Sequence, residues 1–429
     1  MKSDLSALME ARNLDTLLVM GDAFHNPPMV YFTGLAHVSS GVLVLKRGEE
    51  PVLFANPMER DEAAATGLAS RNLNDYNYSK LYEESGKDAL LATARVYQLL
   101  LKDMGVESGR VAVYGQGDAG EHHALITALE ELLPRIEFVG EFRDSVLLAA
   151  RATKNEQEIA KMRSVGERTV KVVGQVADFL ASQQAQDGVL VDAAGQPVTV
   201  GQVKEKINLW LAEQGLDNPH GLIFAPGAEG GVPHSAGSND AVLRLGEPIV
   251  FDIFPCEGGG GYFFDFTRTW CIGHAGEEAQ ALYDDVRAVY DTIMGELQPD
   301  TPCTQYQART CELFAAQGHP TVAEDPTTQV GFVHGLAHGL GLDVHEAPRF
   351  SRDATMKDIL RRGSVVTIEP GLYYPERGMG CRIEDAIYIN PEGQPEVLAP
   401  YPLDLVIPLK DRKSTRLNSS HSSVSRMPS

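Results

Sequence analysis

A chain of 429 residues with 43% hydrophobic content can fill two full cores, which excludes both a disordered protein and a small disulfide-stapled scaffold. Its formal charge of −22 and pI near 4.9 oppose binding to nucleic acid or to an anionic membrane. The five cysteines are odd in number and form no CxxC pair, the first residues lack a signal-peptide core, and no apolar run reaches membrane-spanning length, so a reducing cytoplasm is the expected location.

In chain order, hydrophobic periodicity predicts a helix over 4–12, strands over 16–20, 42–45 and 52–54, a helix over 87–104, a strand over 110–114, a helix over 121–133 and a strand over 136–139. Residues 1–150 therefore read as an α/β domain. A second domain is expected over 151–410. It opens on a long helix over 156–181, continues through a polar loop or hairpin over 182–196 and a helix over 200–214, and places helices over 277–297 and 304–317 among further strands. No unit repeats. Residues 411–429 (DRKSTRLNSSHSSVSRMPS) are serine-rich, basic and almost without apolar side chains, so they are expected to be disordered; they also resemble translated adapter read-through and read as a non-native tail.

One motif in the first half points elsewhere. Gly115-Gln-Gly117-Asp-Ala-Gly120 follows a strand and opens a helix, as a dinucleotide fingerprint does, with Glu137 or Glu141 available for a ribose. That fingerprint should open its domain, whereas several strands precede it here, and Asp118 would set a negative charge beside the phosphates. A plain strand–turn–helix connection is the preferred reading.

The strongest chemical signal lies in the second half. Residues 248–255 (PIVFDIFP) and 262–273 (YFFDFTRTWCIG) are apolar runs that each enclose one carboxylate, Asp252 and Asp265, and the intervening Glu257-Gly258-Gly259-Gly260-Gly261 reads as an antiparallel hairpin turn. Burying a carboxylate in such a run is costly without a cation or a donor. The pattern recurs at Glu369 (VVTIEPG) and Glu384 (GCRIEDAIYI). Between the aspartate pair and the glutamate pair, HGLAHGLGLDVHE spaces His334, His338 and His345 through glycines that argue for irregular or extended backbone. A helical zinc-protease motif would need a glutamate at 335, where glycine stands. Four carboxylates and one imidazole, Asp252, Asp265, His338, Glu369 and Glu384, suffice for two divalent cations, because their charges balance and carboxylate oxygens can be shared.

These segments, in this order, resemble the M24 metallopeptidase family of the pita-bread fold, in its Xaa-Pro dipeptidase (prolidase) and aminopeptidase P branch. The resemblance runs from about 152 to 409, and 1–150 resembles the creatinase-like N-terminal domain of that branch. It implies that Asp252 chelates one metal, that His338 and Glu369 bind the other, and that Asp265 and Glu384 bridge them. It implies further that His234 faces the scissile bond, that His345 lies in the outer shell, that His334 and Arg382 support the substrate and the metal shell, and that Arg349 meets the substrate carboxylate. The glycine hairpin is two residues longer than the family's usual spacing. A creatinase-like domain of this kind shapes the cleft and builds the oligomer, so a homodimer is expected.

The chemistry so implied is hydrolysis of an Xaa-Pro bond by a metal-bridging hydroxide, with His234 or His345 donating to the oxyanion and Glu369 also carrying a proton to the leaving nitrogen. The oxygen-rich shell leans toward manganese; cobalt, zinc and iron are chemically tolerable. Taken singly, His234 reads as a loop residue, His345 as a turn brace, Arg349 as a surface cation and Arg382 as an ion-pair partner of Glu384. Two other classes are a metal-independent amidinohydrolase-like enzyme and a non-catalytic peptide-binding protein on the same fold. A complete ligand set argues against both.

Overall fold

The computed structural model of the protein describes residues 4–350 and 358–410; the tail over 411–429 lies outside the described residues. In the N-terminal part six strands form one sheet, in the order Ala69–Asn72, Val52–Ala55, Gly41–Lys46, Thr16–Gly21, Gly109–Gly115 and Ile136–Val139. The central strand Thr16–Gly21 reads as a continuous apolar run because both faces are covered. Leu17 and Val19 turn toward the helices Leu5–Ala11, Pro27–Thr33 and Val146–Arg151. Leu18 and Met20 turn toward Ala89–Asp103 and Ala119–Leu132.

The C-terminal part is built on two curved sheets. One orders Leu222–Pro226, Pro248–Ile253, Phe266–Ile272 and Val406–Ile407; the other orders Glu346–Arg349, His338–Gly339, Val365–Ile368, Asp385–Ile389 and Pro395–Val397. Reciprocal backbone hydrogen bonds between Thr267 and Glu384, at 3.3 and 3.0 Å, join them. Helices Glu156–Ala181 and Val200–Glu213 pack on Ile249, Phe251, Ile253 and Trp270, while Glu277–Glu296 and Cys303–Ala316 pack on Val366, Ile368, Ile387 and Ile389. The period-2 alternation of the strands then turns Asp252 away from the helices that Phe251 and Ile253 face. The first long helix starts where a capping box, Asn155 with Glu158, satisfies its N-terminal amides.

The two aspartate strands pair antiparallel, with Asp252 opposite Thr267, so Asp265, two residues before Thr267, shares the face of Asp252. The glycine segment between them is more than a turn. Cys256–Glu257 leaves to pair with Leu216–Asp217, and the amide of Gly259 donates to the Asp217 carboxylate at 2.7 Å. The His25 amide of the N-terminal domain donates to the Gly259 carbonyl at 3.3 Å. At Gly260, φ is +87° and a Cβ would collide with the His25 backbone, so this close approach requires glycine. The glycine hairpin thus touches the N-terminal domain while the two aspartate strands stay in register.

Candidate metal centre

Each of the five expected ligands sits at or next to the end of a short strand, where the chain opens into one cleft of about 750 Å³. His338 Nε2 lies 3.6 Å from Asp265 Oδ2 and 3.4 Å from Glu369 Oε1. Ligand atoms of Asp265, His338 and Glu384 all fall within 4.8 Å of one another. The His338 Nδ1–H donates to the Gly339 carbonyl at 3.1 Å, which leaves the Nε2 lone pair directed at the carboxylates. Burial, and then the neighbouring His345, lower this imidazole to about 3, so it stays neutral as a ligand must.

The carboxylates are not balanced from within the protein. Among the described residues, Arg382 is the one lysine or arginine that hydrogen-bonds the side chain of any of these carboxylates, through Nη2 to Asp252 Oδ2 at 2.6 Å. Asp252 Oδ1 and Asp265 Oδ1 are buried and, among the described residues, have no hydrogen-bond partner. Burial first, and then Glu384, push the Asp265 and Glu369 carboxyls well above the carboxylate range; burial and then Asp252 raise Glu384 to about 8. Orphaned buried oxygens and mutually repelling carboxylates beside one neutral imidazole are a donor set that fits divalent cations.

Around this cluster the remaining expected residues separate. His234 and His345 line the same cleft, and the His345 ring centroid is 4.3 Å from that of His338. His334 Nδ1–H donates to the Gly335 carbonyl at 2.6 Å, its Nε2 accepts from the Tyr373 hydroxyl at 2.9 Å, and burial lowers it to about 3. Arg382 is buried and also donates to Tyr373 Oη at 2.6 Å, to Thr267 Oγ1 at 3.2 Å and to the Pro233 carbonyl next to His234 at 3.4 Å. Arg349 is not brought to the cleft. It lies opposite His338 in the strand register, but its Nε and backbone amide both donate to Asp358.

Several residues of the site went unread in the sequence. Thr267 Oγ1 donates to Glu384 Oε2 at 2.6 Å, and Thr367 Oγ1 accepts the His338 amide at 3.1 Å. Tyr373 joins Arg382 to His334, and His220 lines the cleft with its ring stacked on Phe263. A threonine two residues from a ligand on the same strand face was the available signal for Thr267 and Thr367; His220 had none. Among the described residues, no helix is long and apolar enough to cross a membrane.

The Creatinase/Prolidase N-terminal domain model matches residues 3–143, and the model of Metallopeptidase family M24 matches residues 160–391. The chain is 26% identical over 395 residues to a Xaa-Pro dipeptidase of Pyrococcus horikoshii, covering 90% of this chain and 93% of that protein. It is 30% identical over 248 residues to a probable dipeptidase, PepE, of Mycobacterium tuberculosis, covering 58% and 59%. Among solved structures, the prolidase from Pyrococcus horikoshii superposes with a TM-score of 0.69 at 22% identity, covering 94% of this chain and 98% of that one. The X-Pro aminopeptidase from Thermotoga maritima gives 0.69 at 20%, covering 91% and 97%. With its creatinase-like domain, its pita-bread half and four carboxylates that meet an imidazole in one cleft, the chain belongs to metallopeptidase family M24 and is a peptidase.

Proposed function

We propose that this protein is a dinuclear metal-dependent exopeptidase that hydrolyses Xaa-Pro bonds, with residues 1–150 and 151–410 as its two working units. The observation that carries this reading is the meeting of Asp252, Asp265, His338, Glu369 and Glu384 in one cleft with too few protein cations to balance them. Asp252 would hold one cation, His338 and Glu369 a second, and Asp265 and Glu384 would be available to both. Divalent cations held there, manganese by preference, would supply an acidified water and a polarised scissile carbonyl.

The chain's own groups supply the rest. Arg382 fixes Asp252 and, through the Pro233 carbonyl, the loop that carries His234. His234 and His345, both on the cleft wall, are placed to donate to the oxyanion. Proline leaves as a nitrogen that must be protonated, and Glu369, on the wall of the same cleft, is the group assigned to carry that proton. The His334–Tyr373–Arg382 chain keeps the wall behind Glu369 in place.

The test is hydrolysis of Gly-Pro and Gly-Pro-Ala by metal-loaded protein. Cleavage of the first alone assigns a dipeptidase, and cleavage of the second an aminopeptidase. Glu369→Gln is expected to abolish turnover and weaken one metal position. Near-normal turnover by that variant at full metal content, or inactivity of the loaded wild type on both peptides, would overturn the proposal.

A further inference from the structure

The lining of the cleft also includes the apolar side chains of Leu222, Ile223, Phe254 and Val344 together with His220 and one further carboxylate, Asp343. The Asp343 side chain is 42% exposed, yet it is firmly braced. Its Oδ2 accepts from Arg151 Nη2 at 2.6 Å, and its amide donates to Glu346 Oε1 at 3.0 Å. Arg151 is only 4% exposed and also pairs with the fully buried Glu346, whose other oxygen takes Lys154 Nζ at 3.3 Å. Arg151 is therefore unavailable to a ligand, whereas the Asp343 carboxylate reaches the cleft with its position already fixed. Burial pushes this carboxyl up, and Arg151 only partly offsets the effect, so a further cation beside it is favoured.

We propose that Asp343, braced by Arg151 and flanked by His220, determines specificity in this cleft by selecting substrates whose first residue carries a long side chain with a cationic end, lysine or arginine. The methylenes lie along Ile223, Phe254 and Val344 while the charged tip pairs with Asp343. An acidic side chain meets the Asp343 carboxylate, and among the described residues beside it the one arginine, Arg151, is already paired with Asp343 and Glu346. The inference rests on the Xaa-Pro reading for the placement of the first residue. Asp343 is one residue from Val344 and two from His345, so its bracing by the domain junction also ties selectivity to the joint between the two domains.

The experiment compares Lys-Pro with norleucine-Pro, which differ in the charged tip, on metal-loaded protein. The kcat/KM ratio is expected to favour Lys-Pro by about fivefold or more and to fall as ionic strength rises. Asp343→Asn should bring the ratio toward one, and Asp343→Glu should keep the preference. Equal use of both peptides at low salt, or a preference that neither salt nor Asp343→Asn alters, would overturn the inference. If Asp343→Asn does not fold, the salt dependence of the wild type decides. Calorimetric binding of lysine against norleucine separates the two proposals: a preference for lysine that Asp343→Asn removes sustains this one even if neither peptide is cleaved.

Discussion

The metal cleft and the domain junction both bury ionisable side chains, yet only the junction balances them. There, Arg151 and Lys154 face Glu346 and Asp343, and although burial pushes the Glu346 carboxyl up, the two cations outweigh it and hold the group below its ordinary value. In the cleft, among the described residues, four carboxylates face one guanidinium, that of Arg382, which pairs with Asp252, and Asp265, Glu369 and Glu384 are all displaced upward. The lesson is about sign. A buried carboxylate whose partners come from the chain adds to stability, whereas one left for a ligand subtracts from it until the ligand arrives.

The largest test of this contrast is removal of divalent ions. A chelator should reduce peptide hydrolysis to background and lower the unfolding temperature in scanning calorimetry; an ion present at a thousandfold over its Kd stabilises by about 4 kcal/mol. An unchanged transition would mean that the cleft does not depend on cations. Next come two substitutions with opposite expected signs. Glu346→Gln removes the buried charge that faces Arg151 and Lys154 and should destabilise the protein by about 3–5 kcal/mol in urea unfolding. Asp265→Asn removes a buried, repelled charge and should stabilise the chelated protein by about 1–3 kcal/mol while weakening metal binding. If both variants lose stability in chelator, the distinction between the two regions fails.

The same contrast appears along the pH axis. Glu346 has a depressed folded pKa, so its stabilising contribution is present above the unfolded carboxylate value of about 4.3 and is lost as pH falls through the lower folded value. Glu384 is raised from 4.5 to about 8, so in chelated protein its contribution is present below 4.5 and is lost as pH rises toward 8. Unfolding free energies measured in chelator from acid to mildly basic pH should therefore show an acid limb that Glu346→Gln removes and a basic limb that metal loading removes. Loading should also release protons, read as a dependence of the calorimetric heat on buffer.

Long elements were legible because several signals agree in them. The helix Glu156–Ala181 begins and ends where the apolar period places it, and the structure adds the Asn155 cap. Four residues of the cleft, Asp252, Asp265, Glu369 and Glu384, were legible because a carboxylate within an apolar run violates the pattern around it, and His338 because three histidines punctuate a glycine-rich stretch. Short elements were not. Pro27–Thr33 mixes two prolines with aromatic and β-branched residues, and its one helical signal is proline in the first turn. Ala69–Asn72 is largely exposed and polar, a strand only because Val52–Ala55 offers it an edge. The junction network was invisible for a different reason: Lys154 and Glu346 are 192 positions apart, and nothing local to Arg151-Ala-Thr-Lys154 marks its cations as buried. Arg349 failed to reach the cleft because Asp358, outside the motif that drew attention to it, takes its guanidinium.

The smallest expected effects concern the two threonines, which stand in corresponding places on the two sheets. Thr267 donates to Glu384 at 2.6 Å and accepts from Arg382 at 3.2 Å, so it ties a ligand to the one cation of the cleft. Thr367 accepts the His338 amide at 3.1 Å and reaches Glu369 only at 3.4 Å, a long contact that holds backbone more than carboxylate. Thr267→Val, nearly isosteric, should weaken metal binding by about tenfold, whereas Thr367→Val should cost about threefold. Titration of chelated protein with manganese reads both. An equal loss would show that the hydroxyls act through fold rather than through the ligands they touch, and a larger loss at Thr367 would shift the anchoring of the centre from Glu384 to His338.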